Sequence, residues 1–347
     1  GPFHAAVADG FDPPGPAETG LPDLLRPAMI CSDVIIVGGG PAGAACAARL
    51  RKNGMDTIIL DKQVFPRKKL CAGWISPDVF DDLECVPDTY PHALTRIRRI
   101  HFHLFGLPLP VKTRQYAVRR IEFDHWLIQR AGVPVHTHAV KKIQKNRNGY
   151  VIDDRFECRS LIGAGGTHCP VRRTFAPPLP GRPENARISA VEKEFPSHPQ
   201  IRECHIWYLE KGLPGYAWYL PKQGGWVNIG IGGKQHRLTA RGTTIMQHWR
   251  EFVHRLIDKG FLDRPPGNPA GHTYYLRYAP GDPMPDNVFV IGDAAGLSTL
   301  DMGEGIHAAI QSGIAAAEAI TAGRRMHLDH ISRFSLPGLV KAGFQRG

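Results

Sequence analysis

The chain has no C-x-x-C pair, no H-x-x-x-H pair with an accompanying acid, and no internal repeat. It also lacks any apolar run approaching the ~18–20 residues that span a bilayer. The missing cysteine and histidine pairs argue against a zinc site, and no metal site is expected. Seven cysteines, at 31, 46, 71, 85, 158, 169 and 204, are odd in number and widely scattered. They argue against a disulfide framework and for reduced thiols in a cytoplasmic protein. No basic region leads into an apolar run at the N-terminus, so no secretory signal is read there. Seventeen histidines read as ordinary surface and core residues.

At 347 residues, 42% of them hydrophobic, the chain can bury a sizeable core and exceeds one typical domain. Its net charge of +11 and pI near 9.4 fit an anionic membrane face, an acidic substrate or plain solubility. Basic residues are spread along the chain and no RNA or DNA module is visible, so no nucleic-acid partner is expected. Residues 1–28 are rich in proline and glycine without periodicity. They read as a tail, with Gly1-Pro2 as a protease scar and Met29 as a native start.

The most informative segment is Val34-Ile35-Ile36-Val37 running into Gly38-Gly39-Gly40-Pro41-Ala42-Gly43. A buried strand feeds a glycine turn, and the alanine-rich stretch Ala44–Leu50 continues as a helix. A second strand, Thr57–Leu60, ends on Asp61. That order is a dinucleotide-binding βαβ unit. Gly38 permits the tight turn, Gly40 lets a pyrophosphate lie on the backbone, and Gly43 lets helix and sheet pack closely. Asp61 falls 18 residues past Gly43, near the roughly 20 expected of an acid that binds ribose hydroxyls. An acid there favours FAD or NAD over NADP.

Further on, Phe123–Ala131 predicts a helix, and Val133–Val140 and Gly149–Phe156 predict strands of a small ribbon. Ser160–Gly166 predicts a buried strand and glycine turn. Residues 97–118 suggest short strands. Ile188–Val191, Cys204–Leu209, Gly215–Leu220 and Trp226–Ile231 predict an antiparallel sheet with a hairpin at 222–225. Residues 243–259 predict an amphipathic helix, and Asn287–Gly296 another buried strand meeting a glycine turn. A long helix is expected from Gly305 to Ala322. Nucleotide-binding segments thus lie at the start, middle and end, with the aromatic sheet inserted between them.

Four motifs carry a family resemblance over roughly 32–325. They are the glycine fingerprint; Arg67-x-Lys69-x-Cys71-Ala72-Gly73; Tyr216-Ala217-Trp218-Tyr219-Leu220-Pro221 with Val227–Gly232; and Gly292-Asp293-Ala294-Ala295-Gly296 with Gly303-Glu304-Gly305. The chain resembles the geranylgeranyl reductase family of FAD-dependent oxidoreductases. That family lies within the glutathione-reductase-like superfamily, akin to flavin aromatic hydroxylases and halogenases. The resemblance implies an α/β fold: a Rossmann-like FAD-binding domain of three ββα layers, discontinuous in sequence, with an inserted antiparallel-sheet substrate domain. It places the FAD domain at 29–80, 118–185 and 278–347, and the substrate domain at 81–117 and 186–277.

It also implies an FAD site. The βαβ unit contributes Gly38, Gly40, Pro41, Ala42, Gly43, Asp61 and Lys62. Arg67, Lys69, Cys71, Ala72 and Gly73 follow in the next loop. Arg120 precedes the helix and would lie near the flavin, or is a plain surface arginine. Gly165 stands where relatives carry the acid of an A-D-G motif. Gly292 and Asp293 would meet the ribityl chain, although a Gly-Asp pair alone also makes a capped turn. Gly303, Glu304, Gly305 and Ile306 would bring a helix N-terminus to the flavin, where negative charge collects on reduction.

The function implied is reduction of a C=C bond in an apolar, isoprenoid-like substrate by reduced flavin. Cys71, Tyr216 and Trp218 are the candidate catalytic residues. Cys71 would donate a proton, or is an inert thiol. Trp207, Tyr208, Tyr216, Trp218 and Trp226 would line the substrate site, or serve as sheet core. Arg67 and Lys69 would hold an anionic head. The alternative is a monooxygenase or halogenase acting on an aromatic group of a small molecule or partner polypeptide; Tyr216 and Leu220 stand where halogenases carry Trp and Ile. A binding or assembly protein without turnover is a third reading, opposed by the intact Gly303-Glu304-Gly305 loop. Electrons would come from NAD(P)H or a separate reductase or ferredoxin-like donor, and Gly165, by weakening direct docking of NAD(P)H, favours the separate donor. The short C-terminus implies a more open pocket. Residues 331–340 read as a loosely packed tail or a peripheral contact with the inner membrane face.

Overall fold

An apolar run with no polar alternation belongs to a strand buried on both faces. Val34–Val37 is such a run and forms the inner half of β1 (Ile30–Val37). In the computed structural model the described residues are 28–104, 106–176, 184–278 and 284–339. The tail expected at 1–28 lies outside them except for its last residue.

After β1 come α1 (Pro41–Lys52), β2 (Thr57–Asp61), β3 (Trp74–Ile75) and α2 (Asp78–Asp82). A long hairpin follows, β4 (Thr95–Leu104) and β5 (Leu107–Ala117), and then α3 (Arg120–Ala131). The chain continues through β6 (Val135–Thr137), β7 (Ile143–Lys145), β8 (Tyr150–Ile152), β9 (Phe156–Gly163) and α4 (Pro170–Phe175). The aromatic region supplies β10 (Arg187–Pro196), β11 (Cys204–Tyr208), β12 (Gly215–Lys222), β13 (Trp226–Lys234), α5 (Gln235–Ala240), α6 (Ile245–Asp258) and β14 (Ala270–Tyr275). β15 (Val288–Val290) and α7 (Ile306–Thr321) close the described fold.

The first sheet has a parallel core, β6-β2-β1-β9, and β15 pairs in parallel with the C-terminal half of β9. The antiparallel β7–β8 pair joins the N-terminal half of β9. Val34 and Ile36 face the helical layer of α1, α3 and α7, while Ile35 and Val37 face the ribbon and α4. The sheet is therefore the middle of three layers. Val133–Val140 does not join the ribbon. Its centre becomes β6 and pairs with β2, because the edge of β2 offers open backbone groups to the strand leaving α3.

The second sheet runs β14-β10-β13-β12-β11-β4-β5-β3. It is antiparallel except where β11 lies parallel to β4. No hairpin joins those two strands, so chain direction is free there. One face packs on α6, whose start is sealed by a capping box between Thr244 and Gln247. The other face carries Ile206, Trp218 and Leu220 toward the first sheet.

Candidate functional site

At the end of β1 the backbone turns through Gly38 at φ +115°, where a Cβ would lie 2.4 Å from the Ala164 carbonyl oxygen. Only glycine fits. A Cβ on Gly43 would sit 2.0 Å from the Gly38 carbonyl oxygen, so Gly43 packs the helix onto the turn rather than lining the cavity. The N-cap of α1 is Gly40, with no side-chain cap and Pro41 in the first turn. Unpaired N–H groups and the positive end of the helix dipole therefore face outward. Asp61 is buried at the end of β2. Its carboxylate accepts from Gly39 N at 2.7 Å and from Gln63 N at 2.9 Å. A carboxylate has about four acceptor positions, so it retains capacity for a ribose hydroxyl.

These residues open onto one cavity of about 1230 Å³ between the two sheets. It exceeds the ~300–1,000 Å³ of an ordinary small-molecule site and leaves room for a dinucleotide and a second molecule. Of the expected cofactor residues, Gly38, Gly40, Pro41, Ala42, Asp61 and Lys62 line one arm. Arg67, Lys69, Cys71, Ala72, Arg120 and Gly165 line its middle. Gly292, Asp293, Gly303, Glu304, Gly305 and Ile306 face them from the C-terminal segment, and Tyr216 and Trp218 close the far side. Gly43 and Gly73 stand outside the lining. Gly73, at φ +74°, presses its loop against the Val118 carbonyl, where a Cβ would meet oxygen at 2.0 Å.

The cavity's electrostatics are set by buried pairs. α3 begins at Arg120 itself, three residues earlier than expected, so the arginine sits in its first turn. Its guanidinium donates to Asp124 through Nε (2.7 Å) and Nη2 (2.9 Å). Arg67 approaches the same carboxylate at 3.5 Å, and Asp124 is wholly buried. Burial opposes the Arg120 charge, but Asp124 and then the Cys71 side chain outweigh it and keep the guanidinium protonated. The reading of Arg120 as a surface arginine is thereby replaced. Arg67, expected in the cofactor site and at an anionic head, lines the cavity as well as approaching Asp124.

Gly292 N–H donates to Ser312 Oγ at 2.9 Å, which anchors the turn to α7. Asp293 accepts from Ser298 Oγ at 3.2 Å. Glu304 turns toward the first turn of α7 and accepts from His307 N at 2.8 Å. Burial raises the Glu304 carboxyl above its ordinary range, against the pull of His307. Burial alone would lower His307, yet its bond to Asp82 leaves it raised.

Strand alternation divides the aromatic set. Tyr216 and Trp218 face the cavity, with Tyr216 Oη donating to the Met302 carbonyl at 2.5 Å. Burial raises the Tyr216 hydroxyl well above its usual value. Trp218 Nε1 donates to Asn228 Oδ1 at 2.7 Å. Trp207 points to the opposite face, against Phe252 of α6. Trp226 lies beneath the Arg119 guanidinium, 3.5 Å from ring centroid to carbon, and Tyr208 packs on Tyr216. The period of two, not the aromatic content, decides which rings reach the cavity.

Several lining residues were not assigned to the cavity from sequence: Glu192, His272, Tyr274 and the segment from Ile331 to Leu339, read there as a loose tail or a membrane contact. The last is not a loose tail. Arg277 donates to the Ile331 and Ser332 carbonyls, Asp301 accepts from the Ser335 and Leu336 amides, and Ile331 and Leu339 are buried. The segment therefore walls the pocket on that side. Alternation along β10 and β14 was the available signal for Glu192 and Tyr274, but register alone shows which face meets the cavity.

The residues fit a flavin nucleotide. Backbone lines the cavity at Gly38 and Gly303, where no Cβ would fit, and the N-terminus of α1, which carries no side-chain cap, opens onto it. Buried polar atoms without partners also cluster there: Arg67 Nε, Glu192 Oε2 and His272 Nδ1. A Cβ on Gly165 would meet Cys169 Cα at 3.0 Å, a tight contact, so an acid at this position would require the Cys169-Pro170 turn to give by a few tenths of an ångström.

A family model described as an NAD(P)-binding Rossmann-like domain matches residues 36–102. The chain is 30% identical over 307 residues to an uncharacterized protein of Methanosarcina barkeri, covering 83% of this chain and 74% of that protein. It is 27% identical to the menaquinone reductase of Mycolicibacterium smegmatis (84% and 77% covered). It is also 27% identical to the geranylgeranyl diphosphate reductase of Rhodobacter capsulatus (84% and 75% covered). The fold is similar to a geranylgeranyl bacteriochlorophyll reductase-like protein from Thermoplasma acidophilum, with TM-score 0.74, 21% identity, and 85% and 80% covered. It is also similar to a flavin-dependent brominase, with TM-score 0.68, 18% identity, and 84% and 79% covered. Fold, cavity and relatives together define a flavin-dependent oxidoreductase. Within that class the reductases among the relatives narrow the assignment. The chain belongs to the geranylgeranyl reductase family.

Proposed function

We propose that the chain binds FAD across the cavity and reduces a C=C bond of an apolar, isoprenoid-like substrate. The observation that carries this is the continuity of the cavity. One space runs from the glycine turn of β1 to an apolar wall of Ile206, Trp218 and Leu339. Gly38, Gly40 and the N-terminus of α1 would hold the pyrophosphate, Asp61 the adenosine ribose, and Asp293 the ribityl chain. The N-terminus of α7 would face the flavin ring. When bound and reduced, the flavin supplies a hydride.

The rest falls to the chain's own groups. Tyr216 and Trp218 orient the substrate and exclude water. Cys71, on the loop beside Arg120, lines the same space. Arg114 is exposed at the rim and would meet an anionic head, with the apolar chain inside. Electrons would reach the flavin from NAD(P)H or a separate reductase, and the Gly165 substitution favours the latter. A peripheral contact with the inner membrane face would deliver a lipid substrate.

The test is anaerobic. Photoreduced protein is mixed with a prenyl diphosphate and the product is weighed. Gain of two hydrogens per double bond, without oxygen, is the expected result. Oxygen uptake coupled to hydroxylated or halogenated product would establish the monooxygenase or halogenase reading instead.

A further inference from the structure

Glu192 is the most deeply buried carboxylate of the cavity that the residues above leave without a role. It sits on β10, only 3% exposed, and lines the cavity beside Ala190. Its Oε1 accepts from the Cys71 backbone N–H at 2.5 Å. Its Oε2 is also buried and has no hydrogen-bond partner among the described residues. A buried ionised carboxylate with an open oxygen is costly, whereas a protonated one presents an O–H donor. The charges facing it come from every neighbouring element: Lys222 of β12, Arg120 of α3 and Glu194 on its own strand, with Tyr274 of β14 adding a neutral hydroxyl. Lys222 is already bonded to Glu194 at 2.6 Å and to the Val118 carbonyl at 2.9 Å. Among the described residues, Lys222 and Arg120 therefore act on Glu192 through space while their own bonds go to Glu194, Val118 and Asp124.

We propose that Glu192 is the proton donor of the cavity, delivering the proton that completes saturation of the substrate double bond from its Oε2. Saturating one C=C bond breaks its π bond and forms two C–H bonds. One carbon takes a hydride, the two-electron equivalent that reduced flavin supplies, and the other takes the Glu192 proton. The alkene is reduced, the flavin is oxidised, and Glu192 remains as a carboxylate steadied by Lys222 and Arg120 until solvent returns a proton. Burial pushes the carboxyl up to about 7, against the pull of Lys222, the Cys71 amide and Arg120, so the acid form is available at neutral pH. Cys71 then acts chiefly through its backbone, which fixes the direction of the acid.

The inference rests on the reductase reading, and its test separates the two. Infrared difference spectra of the flavin-loaded protein are recorded across pH 5–9 for wild type and Glu192→Gln. A buried carboxylic C=O band that titrates near neutrality and vanishes in the variant is expected. Glu192→Gln keeps an acceptor for the Cys71 amide, so its flavin absorbance and melting temperature verify the fold. In single turnover from photoreduced flavin, it is expected to lose about 10²- to 10⁴-fold in rate together with the alkaline limb of the pH profile. Glu192→Asp keeps the acid, and partial rate with that limb retained is expected. A wild-type spectrum with Glu192 ionised throughout, or a Glu192→Gln variant with unchanged rate and pH profile, overturns the proposal. If wild type saturates no alkene, the reductase reading falls, and with it the catalytic role; the infrared titration still decides whether Glu192 holds a proton.

Discussion

Glu192 makes the fold pH-sensitive in a direction opposite to that of a paired surface acid. In the unfolded chain its carboxyl titrates near 4.5, and in the fold near 7. Below pH 4.5 both states hold the proton. Between those values the unfolded chain releases it while the fold retains it, so stability falls as pH rises. The loss is complete above about 7 and amounts to about 3 kcal/mol. Glu192→Gln carries no such titration, so its stability should gain on wild type by about that amount between pH 4 and 8. Urea melts at the two pH values measure the gain, and parallel pH dependences would contradict it. The same residue shows what a linear reading misses. Arg67, Cys71 and Asp293 stand in motifs and are visible at once. Glu192 stands in an ordinary alternating strand, and only the approach of the Cys71 loop makes it distinctive.

At the scale of elements, α1 and α7 cross so closely that their contact is backbone against backbone. A Cβ on Gly313 would lie 2.3 Å from the Ala42 carbonyl oxygen and 3.1 Å from the Cys46 amide. Gly to Ala within a helix ordinarily stabilises by about 1 kcal/mol. Here the sign should reverse, with overpacking costing about 1–3 kcal/mol. The N-terminus of α1 would also shift away from the glycine turn, so Gly313→Ala should release flavin more readily. Thermal melts and flavin retention on gel filtration check both effects. Helix and strand periods made α1, α6, α7 and most strands of the second sheet legible. The parallel pairing of β11 with β4 and the capture of β6 by β2 were not, because each depends on which open edge a passing strand meets.

For the molecule as a whole, the cavity draws its walls from the beginning, middle and end of the chain. A ligand filling it ties both sheets together, and stabilisation follows from mass action. FAD at 1,000 times its Kd should add about 4 kcal/mol to the unfolding free energy. Removing the flavin should lower the melting temperature, and adding back FAD should restore it. A melting temperature indifferent to FAD would contradict the proposed cofactor. Among the described residues no helix is long and apolar enough to cross a membrane.

The amino-acid order by itself determined the local geometry: where a strand must turn on glycine, where a helix begins, and which acid follows the second strand. Those features depend on backbone sterics and short-range hydrogen bonds, which act between neighbours in the chain. Only the tertiary structure decided which side chains share the cavity. Burial, an unpartnered carboxyl oxygen, and the separation of Trp218 from Trp207 arise when distant segments meet, and no local pattern encodes that meeting.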